Sequence, residues 1–138
     1  MGETIRAAAY FKLSVSDKPG VAAEILGRLR DAGVDLLAFS GFPRGRGAQL
    51  DFVVTDGKSF KAAAKTARVK VSGPKNCFLI SGEDRPGAVA DVLAALARDN
   101  INVTAIDATC AGSGRYGAIL WVKPRDLKRA ARVLGASS

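Results

Sequence analysis

Two stretches decide how the 138-residue chain is organised: Leu13-Ser14-Val15-Ser16-Asp17-Lys18-Pro19-Gly20-Val21 and Ile80-Ser81-Gly82-Glu83-Asp84-Arg85-Pro86-Gly87-Ala88. Each runs from an alternating apolar segment into Asp-x-Pro-Gly and then into an apolar stripe at helical spacing. The proline fixes φ near the helical value, and the glycine leaves no side chain over the first helical N–H groups. The two stretches lie 67 positions apart, and the same shift carries Phe11 onto Phe78, Leu26 onto Leu93, Leu29 onto Leu96, Val34 onto Ile101, Gly47 onto Gly114 and Phe60 onto Leu127. The chain is one unit written twice, with repeats expected over residues 1–72 and 73–138.

Each repeat reads as strand, helix, strand, strand, helix. Phe11, Leu13 and Val15 alternate with Lys12 and Ser14 as a half-buried strand. Val21, Ile25 and Leu29, mirrored by Ala88, Val92 and Leu96, make the helical stripe. Both helices are expected to stop at Gly33 and Asn100, the residue types that best tolerate a left-handed C′ position. Second strands follow through Val34, Leu36 and Ala38 and through Ile101, Val103 and Ala105. Gly-rich turns lead to third strands at Gln49–Thr55 and Tyr116–Val122, and last helices carry Phe60 to Ala67 and Leu127 to Leu134.

This order, with a fourth strand expected at Arg68–Ser72, gives an α+β, ferredoxin-like βαββαβ arrangement, duplicated, with helices on one face of antiparallel sheets. Repeat two lacks room for its own last strand, since Gly-Ala-Ser-Ser alone follows Leu134. Either Arg68–Ser72 folds back on Cys77–Gly82 through a turn at Gly73-Pro74-Lys75-Asn76 and joins both half-sheets, or residues near Thr4 to Ala9 fill the vacant edge.

Composition narrows the chemistry. Hydrophobic residues make up 48% and charged residues 25%, enough for a core. The longest run free of Asp, Glu, Lys and Arg is eight residues, Leu36 to Pro43, far short of the ~20 needed for a membrane helix. No histidine is present, which removes the commonest general base and the commonest metal ligand. Cys77 and Cys110 form no CxxC pair and are expected to be free thiols, with the cytoplasm as the default compartment. No carboxylate pair is spaced for acid–base work, so neither catalysis nor a cofactor or metal is expected.

The Asp-x-Pro-Gly turns place unpaired amides at the positive end of a helix dipole, where a carboxylate or phosphate is favoured. The same residues also serve as a plain turn-and-helix start, without a ligand. Taken together, the two Asp-x-Pro-Gly turns, the helix ends at Gly33-Val34-Asp35 and Asn100-Ile101-Asn102, and the βαββαβ order resemble the ACT domains, small ligand-binding regulatory modules common in amino-acid metabolism. The resemblance implies a stand-alone tandem protein that binds an amino acid at an interface between modules. The implied contacts are Asp17, Lys18, Pro19, Gly20 and Val21 with Val34 and Asp35, and in repeat two Asp84, Arg85, Pro86, Gly87 and Ala88 with Ile101 and Asn102. A regulated enzyme or other protein partner is implied too. Lys18 or Arg85 suits a ligand carboxylate, and Asp17, Asp35, Asp84 or Asn102 its ammonium group.

Net charge is +8 and is unevenly placed. Lys58 to Lys75 holds six basic residues and no acid, and Lys123 to Arg132 holds five against Asp126. The rival reading is therefore an RNA-binding or protein-interaction module using the basic second helices. RNA-recognition modules stack bases on sheet aromatics, and Tyr116 is the one candidate, so nucleic acid is disfavoured. By alternation Leu37, Phe39, Leu79, Ile106 and Leu120 are expected to turn away from the helices, an apolar face to be covered by a homodimer or by packing of the two copies.

Overall fold

The computed structural model describes residues 3–137. The elements are β1 (Thr4–Ser16), α1 (Val21–Asp31), β2 (Ala38–Arg44), β3 (Gly47–Val54), α2 (Gly57–Thr66), β4 (Ser72–Glu83), α3 (Ala88–Arg98), β5 (Val103–Gly112), β6 (Arg115–Val122), a 3-10 turn (Pro124–Asp126) and α4 (Leu127–Leu134). They divide into two compact units, Ala9–Lys75 and Met1–Ala8 with Asn76–Ser138, the chain crossing between them inside β1 and inside β4. No helix among the described residues is long and apolar enough to cross a membrane.

In the unit Ala9–Lys75, antiparallel strands lie in the order β2-β3-β1, with the start of β4 beyond β1. Register is set by aromatic pairing: Phe11 and Phe39 both oppose Phe52. Phe60 of α2 drops onto this row, its ring 4.7 Å from Phe11 and 5.7 Å from Phe52. Leu29 of α1, Leu50, Val54, Ala64 and Val69 complete a core between the sheet and both helices. Arg28 joins the helices, donating from Nε to Ala67 O at 3.1 Å and from its terminal nitrogen to Arg68 O at 2.9 Å.

The other unit repeats the plan as β4-β6-β5 under α3 and α4, around Phe78, Ile80, Val92, Leu96, Leu120 and Ala130. Its outer strand is supplied by the first residues of β1. Ile5 and Ala7 pack on this core, the Tyr116 hydroxyl donates to Glu3 at 2.9 Å, and Arg6 bridges Ser137 in parallel. Ala7 N–H donates to Ser137 O at 2.8 Å and Ser137 N–H to Ile5 O at 3.0 Å. The vacant edge is thus filled from before repeat one, the second of the two arrangements expected.

The turn expected at Gly73–Asn76 does not form, nor does a strand at Arg68–Ser72. Residues 72–83 run straight through as β4, with Gly73–Pro74 in cis. The glycine is there for close approach: a Cβ on Gly73 would sit 2.9 Å from the Phe11 ring and from Tyr10 O.

Alternation also slips in two places. Val34 to Leu37 lies outside β2, so counting from Val34 loses phase, and Phe39 sits 5.6 Å from Phe52 on the core side. A bulge between Val103 and Ala105 shifts β5 by one residue, which brings Ile106 onto the core. Leu120, expected outward, is fully buried in the core. Outward-facing Val53, Cys77 and Trp121 are buried as well, and among the described residues the exposed large apolar side chains are Leu37, just before β2, and Phe39 and Phe42 within it.

Candidate functional site

α1 and α3 begin alike. Gly20 and Gly87 hold the N-cap positions at φ 88° and 82°, in the left-handed region, with no side-chain cap. Val21 N–H reaches back to Lys18 O at 3.3 Å, and Glu24 N–H, at 3.0 Å from Gly20 O, opens the helical ladder. Between them the Ala22 and Ala23 amides find no acceptor among the described residues. In repeat two the matching bonds are Ala88 N–H to Arg85 O and Asp91 N–H to Gly87 O, leaving Val89 and Ala90 in the same state. Such amides at a helix start hold partial positive charge.

The cations beside the two mouths differ. Arg85 is turned onto Asp91 of the first α3 turn, at 2.7 Å, and also donates to Pro86 O. Lys18 makes no ion pair among the described residues, and Glu24, the counterpart of Asp91, faces Arg28 at 3.7 Å instead. Asp17 likewise has no hydrogen-bond partner among them. Asp84 is anchored, its N–H donating to Gly114 O at 2.9 Å, and its carboxylate accepts from the Cys110 thiol, which pushes the thiol pKa up.

The residues after the helices close as expected, with Gly33 at φ 84° and Asn100 at φ 57°. Val34 N–H bonds Leu29 O and Ile101 N–H bonds Leu96 O, a Schellman closure in each repeat. The side chain of Val34 packs on its core and that of Ile101 is buried, so Asp35 and Asn102, both exposed, carry the polar groups of these turns. Within a repeat the implied contacts fall into two groups. The Asp17–Gly20 loop and the Val34–Asp35 turn stand at opposite ends of an 11-residue helix, ~16 Å apart at 1.5 Å per residue.

The sequence reading missed one further feature. A cavity of about 300 Å³ opens in repeat one between the end of α1 and the start of α2, lined by Gly33, Asp35, Thr55, Asp56, Ser59 and Phe60 among others. Asp56 caps α2: its carboxylate accepts from Lys58 N–H at 3.0 Å and from Ser59 Oγ at 2.9 Å, which lowers its pKa. No cluster of three metal-ligating side chains exists among the described residues.

Known proteins agree on the architecture. A protein of Bacteroides thetaiotaomicron, BT0572, superposes with a TM-score of 0.76 at 19% identity, covering 96% of this chain and 88% of that one. The regulatory subunit of aspartate kinase from Thermus thermophilus superposes at 0.64 with 18% identity, covering 98% and 95%. Aspartate kinase from Synechocystis does so at 0.66 and 18%, covering 97% of this chain and 26% of that chain. No curated protein matches the chain in sequence. At these identities the superpositions speak for the duplicated fold. The family itself is fixed by sequence: the ACT domain matches twice, over residues 9–69 and 78–136, each match spanning an uncapped glycine helix start and the turn that closes that helix. The chain therefore belongs to the ACT domain family, as a tandem of two such domains.

Proposed function

We propose that this protein senses a free amino acid and regulates a separate enzyme through that binding, without chemistry of its own. The observation that carries the reading is the pair of helix mouths with unpaired amides, at Gly20 and Gly87, in a chain of two ACT domains. A ligand carboxylate is suited to the Ala22 and Ala23 amides with Lys18 beside them, and its ammonium group to Asp17. In repeat two the corresponding contacts are Asp84, Arg85, Pro86, Gly87 and Ala88. The loop is the primary contact within each repeat, because one small molecule cannot span α1 to touch Val34 and Asp35 as well. Repeat one is the more open of the two, since Lys18 is unpaired whereas Arg85 already holds a carboxylate.

The partner enzyme is proposed from the likeness to regulatory subunits of aspartate kinases. Self-association is proposed through the β2 edge, where Leu37, Phe39 and Phe42 are 38–39% exposed. Sedimentation at micromolar concentration should then give a dimer, and a ~14 kDa species would rule that arrangement out. The binding test is thermal melting against the twenty amino acids. A ligand at 100 times its Kd stabilises by ~2.7 kcal/mol, a readily measured shift. A flat response across the whole set would end the sensor reading.

A further inference from the structure

We infer that repeat one holds a second small-molecule site, for a compact organic cation, in the cavity between the C-terminal end of α1 and the N-terminal end of α2. This site is independent of the amino-acid loop, which lies at the other end of α1.

The duplication supplies the comparison. In repeat two the corresponding region is crossed by the guanidinium of Arg129, which donates to Asp99 O at the end of α3 at 3.1 Å and to Asp126 Oδ1 at 3.0 Å. Shifted by 67 positions, those three residues become Ala62, Ala32 and Ser59. Repeat one therefore keeps the acceptor end of the helix but lacks the cation. Ala32 O has no donor among the described residues. Ala32 and Ser59 both line the cavity. Repeat two shows with its own side chain which chemistry this place accepts.

The lining is built for the same chemistry. Asp35 is exposed and makes no ion pair among the described residues, so its charge is free for a ligand. Asp56 accepts from Lys58 N–H, from Ser59 Oγ and, more weakly, from Ser59 N–H, and a carboxylate has about four acceptor positions. The end of α1 adds the negative pole of its dipole, while Asp56 offsets the positive pole of α2. Val34, Val54, Phe60 and Ala63 supply apolar wall for methylene groups. The volume, about 300 Å³, stands at the small end of organic ligand sites, which fits an amine or guanidinium on a short chain.

The test is a heteronuclear NMR titration of the full chain with agmatine and with putrescine, using acetate as the anionic control. Both cations, or agmatine alone, should shift the Gly33, Asp35, Thr55 and Ser59 amides saturably, and acetate should leave them in place. Ala62→Arg, which supplies the arginine that repeat two carries, should weaken agmatine binding at least ~10-fold by occupying the site, and Asp35→Asn should weaken it in the same direction. Because Ala62 and Asp35 are exposed, both variants should keep the parent melting temperature or exceed it. Shifts confined to Ala22 and Ala23 would mark the loop instead and overturn this site while leaving the sensor reading intact. Absence of a saturable shift up to ~10 mM cation, or agmatine affinity unchanged in Ala62→Arg, would overturn it too.

Discussion

Removing residues 1–8 should unfold repeat two and spare repeat one, although the deletion lies in front of repeat one. The first residues of β1 give the second unit its outer strand, and what they contribute can be summed. The two bonds with Ser137 are worth ~1 kcal/mol each. Half-burial of Ile5 with Ala7 on that core adds ~2 kcal/mol. The bond from Tyr116 to Glu3 adds ~1 kcal/mol. The loss is on the order of 5 kcal/mol, and a unit of this size has ~3–10 kcal/mol in all. Hydrogen exchange read residue by residue is the assay. Protection should collapse in Val92–Leu96 and Tyr116–Val122 and persist in Leu50–Val54 and Phe60–Ala64. Equal protection in both units, or a loss below ~1 kcal/mol in the second, would refute the claim that this segment completes the second unit. Ala7→Pro is the milder form: it deletes the donor to Ser137 O and should produce the same regional pattern at ~2–3 kcal/mol.

Gly20→Ala should cost ~1–2 kcal/mol from left-handed strain alone, because a Cβ there meets nothing within 4 Å, whereas Gly73→Ala should cost more because its Cβ also meets Tyr10 O and Phe11; denaturant melts of the two variants decide the order. Tyr116 should ionise near pH 12, since burial and then its bond to Glu3 raise its pKa to about 12. The folded value lies above the unfolded one, so the associated stability is complete below pH ~10 and is lost as pH rises toward 12; ultraviolet titration of tyrosinate checks it. Cys110, exposed but held protonated by Asp84, should alkylate slowly at neutral pH and faster in Asp84→Asn, while buried Cys77 stays unreactive in the folded protein. Acidification should weaken the α2 cap, because Asp56 has a lowered pKa, so its contribution is present above pH ~4 and falls as pH drops through the folded value.

The duplication, the glycine helix starts and the closures at Gly33 and Asn100 were legible in the sequence because each is local: a few residues fix a few dihedral angles. What was illegible depended on other strands. The filling of the vacant edge by Thr4-Ile5-Arg6-Ala7-Ala8 was legible only as one of two arrangements, because the segment's role follows from a vacancy in the other repeat. Gly73-Pro74 reads as a turn until β1 is laid beside it and the glycine becomes the residue that lets two backbones meet. The phase of alternation failed where Val34–Leu37 leaves the sheet and where β5 bulges, since periodicity counts residues and a bulge consumes one without advancing the pleat. The candidate loops were readable as motifs. The cavity was not, because its walls come from two segments apart in the sequence, residues 32–35 and 54–63, which only the fold brings together.

At the loop before the first helix of each repeat and at the end of that helix the paired positions diverge in one direction, while elsewhere repeat one carries bonds that repeat two lacks, Arg28 to Ala67 O and Arg68 O among them. Repeat two closes itself: Arg85 on Asp91, Arg129 on Asp99 O and Asp126, Asp84 against Cys110. At these places repeat one leaves groups open: Lys18 and Asp17 make no ion pair among the described residues, Glu24 is drawn to Arg28, and Ala62 stands where repeat two has Arg129. An exposed ion pair such as Arg85–Asp91 contributes little stability, ~0–1 kcal/mol, so on the proposed function its main effect is to occupy groups a ligand would otherwise use. Duplication frees one copy to keep the scaffold while the other keeps its polar groups exposed. On the proposed function, an effective amino acid should raise hydrogen-exchange protection first at Ala22 and Ala23 and hardly at Val89 and Ala90. Asp91→Ala should release Arg85 and bring the second pair up toward the first. Equal protection of both pairs in the parent protein would show that the ion pair does not set the difference.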